Sequence, residues 1–98
     1  MPAYVILDIE VHDPVLYDAY RKLAPATVTL YGGKYIVRGG QVETWEGGWT
    51  PSRVVVVEFP SLEQARAWVD SPEYAGPRKM RESAANSRVI LVDGIPPA

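Results

Sequence analysis

The sequence predicts an α+β fold in which a four-stranded antiparallel sheet carries helices on one face only. Four short segments alternate apolar and polar residues as strands do, and the segments between them have the apolar spacing of helices. Their order is β-α-β-β-α-β, with an extra helix before the last strand. This order is the ferredoxin-like arrangement. The 98 residues suffice for a single domain, residues 1–98.

The first predicted strand, Tyr4–Val11, has one wholly apolar face and one mixed face. A helix follows, because Asp13 can cap its first turn and Pro14 suits the first helical position. Pro25 disfavours helical geometry at the residue before it, so we expect a break or kink at Ala24. The residues at helical spacing that should face the sheet are Leu16, Ala19, Tyr20 and Leu23.

The middle of the chain predicts a long hairpin with an extended arm. Lys34–Arg38 and Arg53–Phe59 should pair in antiparallel fashion, and the residues between them are again strand-like from Gln41 to Glu46. Gly39-Gly40 indicates a kink in this hairpin and Gly47-Gly48 its turn. Gly32, just before the hairpin, should close the first helix in the left-handed conformation.

Two helix starts follow the hairpin. Ser61 with Gln64 forms a capping box, and Ser71 can cap a second helix that begins at the next residue. Gly76-Pro77 should split this second segment into a short turn and a helix from about Pro77 to Ala85, with Asn86 as a left-handed terminator. The last predicted strand is Arg88–Asp93, followed by a tail from Gly94 to Pro97 without a further helix.

Composition and charge exclude several classes of function. The formal charge of −2 and the lack of a basic run disfavour nucleic acid as a partner. No apolar run is long enough to span a bilayer, and the first residues, Met1-Pro2-Ala3, do not resemble a secretion signal. No cysteine is available for disulfides or thiolate chemistry, so we expect a cytoplasmic protein.

The sheet face without helices predicts a homodimer. Soluble monomers rarely expose an apolar patch of this size, and a second copy presenting the same face is the simplest cover. The arm adds Trp45 and Trp49, a residue type enriched in interfaces. Alternatively, both tryptophans fold back onto their own subunit. The apolar residues expected on the open face are Tyr4, Ile6, Ile36, Val54, Val56, Ile90 and Val92.

Four separated blocks carry a family resemblance: GGKYIVRGG, WEGGWTPSRVVVVEFPS, AWVDSPEY and RESAANSRVILVDG. Together they resemble the bacterial family of domains of unknown function numbered 1330 (DUF1330). The resemblance implies the dimeric α+β barrel superfamily, in which ferredoxin-like subunits pack sheet to sheet. That superfamily includes cofactor-independent monooxygenases, muconolactone-isomerase-like proteins, dye-decolourising peroxidases and stress-response barrels, so it implies no single chemistry. Gly76-Pro77 departs from the regular helix that the resemblance implies after SPEY.

Arg38 is the first candidate ligand-binding residue. Alternation places it on the mixed face of the sheet, where its guanidinium could hold a carboxylate or enolate oxygen. The alternative is structural, with Arg38 paired to Glu58 in the sheet or to an acid of the partner. The other charged residues expected on this face are Asp8, Glu10 and Lys34.

A second candidate set lies on the predicted helices. Aromatic walls with one cation suit a small-molecule cleft between helices and sheet. The alternative is that the aromatic residues are ordinary core and the arginine lies on a solvated helix face. The residues of this set are Tyr20, Trp68, Tyr74 and Arg81.

His12, the only histidine, is a weak catalytic candidate because lone histidines at strand–helix junctions are usually exposed. No metal-ligand spacing or phosphate loop is present, so no metal or cofactor is expected. Haem binding would depend on His12 as the only conventional nitrogen ligand.

Two functions remain open from the sequence. One is a homodimeric small-molecule-binding protein, acting as a cofactor-independent enzyme on a small acidic or enolisable compound. The other is a non-enzymatic dimeric binding or regulatory module whose charged interface is purely structural.

Overall fold

A computed structural model describes residues 1–95 of the chain, so the Pro96-Pro97 part of the predicted tail lies outside the described residues. Its elements are β1 Ala3–Val11, α1 Pro14–Leu30, β2 Lys34–Arg38, β3 Val54–Phe59, α2 Leu62–Val69, α3 Pro72–Ala84 and β4 Ala85–Asp93. The strands form one antiparallel sheet in the order β2-β3-β1-β4. The predicted ferredoxin-like α+β fold, with its extra helix before the last strand, is confirmed.

The apolar face of β1 lies at the centre of the core. Val5, Leu7 and Ile9 are buried, whereas the residues between them are only partly buried. The same side of β3 contributes Val57 and Phe59, and the helices pack over both strands. The two-residue alternation of the sequence therefore predicted correctly which sheet face is covered.

Helix α1 continues through Pro25 to Leu30, so of the predicted break or kink at Ala24 the break does not occur. Proline lacks an N–H and leaves the carbonyl four residues earlier without its helical donor. In this chain that carbonyl belongs to Arg21, and Arg38 Nη2 donates to it at 3.0 Å. Gly32 follows the helix with φ +80°, as predicted.

The sheet-facing side of α1 also differs from the prediction. Leu23 is half exposed, and Leu16 is only partly buried. The buried positions are shifted by one residue from two of the predicted ones. Tyr17 is buried in place of Leu16, and Ala24 in place of Leu23. The buried residues of α1 are Tyr17, Tyr20, Ala24, Thr27 and Val28.

No strand forms between Gln41 and Glu46, contrary to the prediction. No strand of residues 1–95 pairs with this arm. Its backbone groups therefore lack the interstrand hydrogen bonds that a strand requires. Gly47 and Gly48 both have positive φ, as the predicted turn requires. The arm is exposed along residues 39–50.

A β-bulge in β2 changes which side of the sheet Arg38 faces. Tyr35 pairs with Val57, but Val37 already pairs with Val56, so one extra residue lies in β2. Beyond it, Arg38 falls opposite the buried Val55 and faces the helices. The prediction of Arg38 on the open sheet face is therefore wrong, because simple alternation cannot count an inserted residue.

Helices α2 and α3 begin where the capping residues predict. Ser61 Oγ accepts from Gln64 N at 3.2 Å, and Ser71 Oγ accepts from Tyr74 N at 3.1 Å. Helix α3 then runs unbroken through Gly76-Pro77, so the predicted split is wrong. Pro77 lies early in this helix, and the carbonyl that loses its helical donor belongs to Glu73, an exposed residue.

The start of the last strand was predicted too late. Ala85 already has an extended backbone, with φ −155°, and pairs with Val11. Asn86 pairs with Glu10 and does not terminate the helix in the left-handed conformation. Across residues 1–95, no helix is both long and apolar enough to cross a membrane.

Gly33 is expected to tolerate no side chain, although its φ is not positive. A Cβ there would lie 2.7 Å from Phe59 Cε1 and 2.9 Å from Val28 Cγ1, both in the core. Gly33→Ala should therefore lower the free energy of unfolding by about 1–3 kcal/mol through overpacking. Gly40→Ala is the matched control, since nothing lies within 4 Å of its Cβ position. Equal urea midpoints for the two variants would contradict this account.

Candidate functional site

A narrow cavity lies between α1 and the helix-covered face of the sheet. It leaves about 20 Å³ for water-sized molecules, room for about one water. Its deep walls are aliphatic and aromatic, and its polar groups come from tyrosines and arginines. The lining residues are Leu7, Ile9, Tyr17, Tyr20, Arg21, Ala24, Tyr35, Arg38, Arg53, Val55, Val57 and Trp68.

Three arginines of this lining come from different elements. Arg21 lies on α1, Arg38 at the end of β2 beyond the bulge, and Arg53 just before β3. The freed carbonyl opposite Pro25 anchors Arg38, as described above. No ion pair within residues 1–95 includes any of the three. The site is therefore rich in positive charge, and no carboxylate in the described part of the chain lines it or forms an ion pair with these arginines.

Two of these guanidiniums lie against tyrosines of the lining. Arg53 Nε donates to the Tyr17 hydroxyl at 3.1 Å, and its Cζ is 5.6 Å from the centre of that ring. Arg38 Cζ lies 4.7 Å from the centre of the Tyr35 ring. Burial raises the pKa of Tyr35 to about 12, more than the nearby Arg38 lowers it. The Tyr35 hydroxyl is thus protonated at neutral pH.

A buried hydrogen-bonded chain lies behind the cavity. The hydroxyls of Tyr20 and Tyr74 are 2.8 Å apart, and Arg81 Nε donates to the Tyr74 hydroxyl at 3.4 Å. Tyr74 is fully buried, and the Arg81 residue is 6% exposed. Burial is the main reason why the pKa of Tyr20 is raised far above its ordinary value. These hydrogen bonds connect a cavity-lining tyrosine to a cation on α3.

Trp68 packs between this hydrogen-bonded group and the core. Its ring centre is 4.1 Å from that of Tyr74 and 5.3 Å from that of Phe59. Its indole N–H donates to Thr27 Oγ1 at 3.1 Å. The residue therefore has a satisfied polar group and forms one wall of the cavity.

The structure brings most of the predicted candidates together. Tyr20, Arg38 and Trp68 line the cavity, while Tyr74 and Arg81 lie directly behind it. His12 is exposed at the turn between β1 and α1 and does not line the cavity. Within residues 1–95, no three His, Asp or Glu side chains cluster closely enough to hold a metal ion.

Apart from the aliphatic residues of the sheet, sequence reasoning gave no site role to five lining residues: Tyr17, Arg21, Ala24, Tyr35 and Arg53. Tyr17, Arg21 and Ala24 lie on one side of α1. They are spaced four and three residues apart, and this helical spacing was the available signal. Tyr35 lies within the predicted strand Lys34–Arg38 but was given no role. For Arg53, the available signal was two-residue alternation in the predicted strand Arg53–Phe59, which places it on the same face as Val55 and Val57.

The open sheet face has its own charged contacts. Lys34 Nζ pairs with Glu58 Oε2 at 3.2 Å, and the Tyr4 hydroxyl donates to Glu58 at 3.1 Å. Glu58 is therefore paired with Lys34, and the predicted alternative pairing of Arg38 with Glu58 is wrong. The indole N–H of Trp49 donates to Asp8 at 3.3 Å, which holds the base of the arm near this face.

Solved structures similar to this chain share its fold at low sequence identity. A protein of unknown function from Rhodopseudomonas palustris has a TM-score of 0.76 and 19% identity, over 98% of this chain and 84% of that chain. SnoaB, a cofactor-independent oxygenase from Streptomyces nogalater, has a TM-score of 0.72 and 12% identity, over 98% of this chain and 95% of that chain. A dimeric ferredoxin-like protein of unknown function from Bacteroides fragilis has a TM-score of 0.62 and 12% identity, over 95% of this chain and 96% of that chain.

Comparison by sequence gives one specific result. No protein of curated function matches the chain. The profile of a family described as a domain of unknown function, DUF1330, matches residues 2–95. That match covers nearly the whole chain and agrees with the resemblance carried by the four sequence blocks. The chain belongs to the DUF1330 family.

Proposed function

We propose that this protein is a homodimer that binds a small acidic or enolisable compound in the cavity between α1 and the sheet. The observation that carries the proposal is the presence of three arginines, Arg21, Arg38 and Arg53, around an aromatic-lined cavity without a carboxylate partner. Guanidinium groups bind carboxylates and related anions through paired N–H donors. An anionic ligand would supply the negative charge that the site lacks.

The ligand has to displace side chains, because the present cavity holds about one water. Arg38 is exposed and Arg53 only partly buried, so both can move outward without exposing the core. The aliphatic walls from β1 and β3 would remain in place around the apolar part of the compound. A flat molecule with one apolar body and an ionised oxygen fits this arrangement.

Arg38→Ala is expected to weaken anion binding by about 10-fold or more, because hydrogen bonds to charged groups are worth about 1.5–3 kcal/mol. The measurement is the rise in melting temperature caused by benzoate, salicylate or acetylacetone, which reports affinity for the folded state. Arg66→Ala is the matched control, since Arg66 is exposed on α2 and does not line the cavity. An equal ligand-induced rise in both variants would contradict the proposed site.

The homodimer is supported by the apolar surface of the open sheet face. Ile90, next to Ile6 across β1 and β4, is 57% exposed, and Ile36 is 49% exposed. Trp45 on the arm is 86% exposed, which is unusual for tryptophan in a monomer. The similar Bacteroides fragilis protein is dimeric. A second copy packed on this face, with Trp45 and Trp49 at its edge, would cover these groups.

The choice between enzyme and binding module depends on the polar lining of the cavity. Within residues 1–95, no histidine or carboxylate lines it, so a conventional general base is lacking there. This favours a binding or regulatory module. Cofactor-independent oxidation of an already ionised compound is the enzymatic alternative, and the similar structure of SnoaB, a cofactor-independent oxygenase, supports it. Oxygen uptake with the compounds that stabilise the protein distinguishes the two functions.

A further inference from the structure

The direction of the hydrogen bonds behind the cavity follows from the residue types. A guanidinium has only donors, so Arg81 Nε donates to the Tyr74 oxygen. Tyr74 is fully buried, and the only other side-chain hydroxyl bonded to it within residues 1–95 is that of Tyr20, at 2.8 Å. A buried hydroxyl hydrogen without an acceptor is costly. Tyr74 therefore donates to Tyr20.

This direction leaves the Tyr20 hydrogen uncommitted. The Tyr20 oxygen accepts from Tyr74, and no other side-chain or backbone acceptor of residues 1–95 is hydrogen-bonded to the Tyr20 hydroxyl. Tyr20 itself lines the cavity. Its hydrogen is therefore available to a molecule bound there.

The same reasoning applies to a second tyrosine of the lining, Tyr17. Arg53 donates to the Tyr17 oxygen, so the Tyr17 hydrogen is also uncommitted. The remaining polar side chains of the lining are the Tyr35 hydroxyl and the guanidiniums of Arg21 and Arg38. None of the lining side chains is an obligatory acceptor such as a carboxylate.

We infer that the cavity, lined by hydrogen-bond donors and, within the described residues, by no carboxylate, selects ligands in an ionised, acceptor-only form, and that Tyr20 donates to the ionised oxygen. Arg81 is a positioning residue, because it acts through Tyr74 on the direction of the Tyr20 hydrogen. The inference rests on the proposed function and specifies it further. The ligand class is a phenolate, an enolate or a carboxylate, because the ionised oxygen of each accepts hydrogen bonds and donates none.

The test uses 4-nitrophenol, whose phenolate form has a visible absorbance of its own, and 4-nitroanisole, whose methylated oxygen cannot ionise. Wild-type protein is expected to bind the phenolate and to lower the pKa of the bound phenol, seen as increased phenolate absorbance at fixed pH. Tyr20→Phe should weaken phenolate binding by about 10-fold or more, since one hydrogen bond to a charged oxygen is lost. Binding of 4-nitroanisole should be weaker and nearly unchanged by Tyr20→Phe.

Arg81 is tested by a pair of variants. In Arg81→Met the Tyr74 oxygen loses its donor, so Tyr20 can donate to Tyr74 instead of the ligand, and phenolate affinity should fall about 3- to 10-fold. Arg81→Lys supplies another donor-only cation and should restore affinity and the lowered phenol pKa. A purely structural role for Arg81 would change both ligands equally. Circular dichroism checks that each variant is folded. If Arg81→Met does not fold, the result for Tyr20→Phe alone decides whether the inference holds.

The outcomes separate this inference from the proposed function. If benzoate binds in an Arg38-dependent way but Tyr20→Phe leaves phenolate affinity and absorbance unchanged, the inference is overturned and the proposed function stands. Preferential binding of 4-nitroanisole or of neutral 4-nitrophenol also overturns it. If neither benzoate nor 4-nitrophenol binds to wild-type protein, both proposals are overturned.

Discussion

Tyr74→Ala is expected to lower the free energy of unfolding by about 3–5 kcal/mol, the range for removing a fully buried aromatic side chain. The Tyr74 residue is 0% exposed, and its ring lies against Trp68 with 4.1 Å between the ring centres. The substitution also leaves Arg81 Nε and the Tyr20 hydroxyl without the hydrogen-bond partner that joins them. Loss of packing and loss of partners act in the same direction. Urea denaturation followed by circular dichroism measures the effect.

Tyr74→Phe separates the two contributions. It keeps the ring and removes the hydroxyl, so about 1–3 kcal/mol should be lost through the unsatisfied groups alone. Leu30→Ala is the control for an exposed apolar side chain at the end of α1 and should change stability by about 0.5 kcal/mol or less. If Tyr74→Ala destabilised no more than Leu30→Ala, Tyr74 would not be the centre of the packing between α1, α2 and α3.

Periodicity and capping residues predicted most of the fold. The alternation in β1 identified the covered sheet face, because side chains of a strand point to opposite sides at every step. Ser61 and Ser71 fixed the starts of two helices, because their hydroxyls can accept the free N–H groups of the first turn. These are local effects, and a single sequence contains them in full.

The prolines and the bulge show where local reasoning fails. Pro25 was expected to break or kink α1, but its effect depends on whether another donor satisfies the carbonyl of Arg21. That donor is Arg38, which reaches it only because the bulge turns β2 over. Tertiary contacts decided both outcomes, and neither residue has a local signal for them.

The candidate site was predicted in its residue types more than in its geometry. Tyr20 and Trp68 carry the helical spacing of a buried stripe, so their convergence was predictable. Arg53 follows an irregular arm, and the packing of its guanidinium against Gly39 depends on the absence of a side chain at that glycine. Placement of a charged side chain at the end of a long loop depends on the whole fold, which periodicity does not describe.

Ile90→Asp is expected to convert the proposed dimer to a monomer. Ile90 lies opposite Ile6 on the open sheet face and is 57% exposed in the single chain. Two-fold symmetry brings two new carboxylates into the interface for each substitution. One uncompensated buried charge costs about 3–5 kcal/mol, so the two together should raise the dimer Kd by at least about 100-fold. Light scattering coupled to size-exclusion chromatography over a range of concentrations measures this shift.

Val15→Asp is the matched control for the dimer. It introduces the same charge at the exposed outer side of α1, away from the open face, and near a helix start where an acidic residue is favourable. Its mass in solution should equal that of the wild type, while Ile90→Asp should be a folded monomer because Ile90 contributes little to the core of its own subunit. A wild-type protein that is monomeric at micromolar concentration would contradict the dimer outright. If Ile90→Asp stayed dimeric, the second copy would have to pack on a surface other than the open sheet face, and the apolar residues there would need another cover.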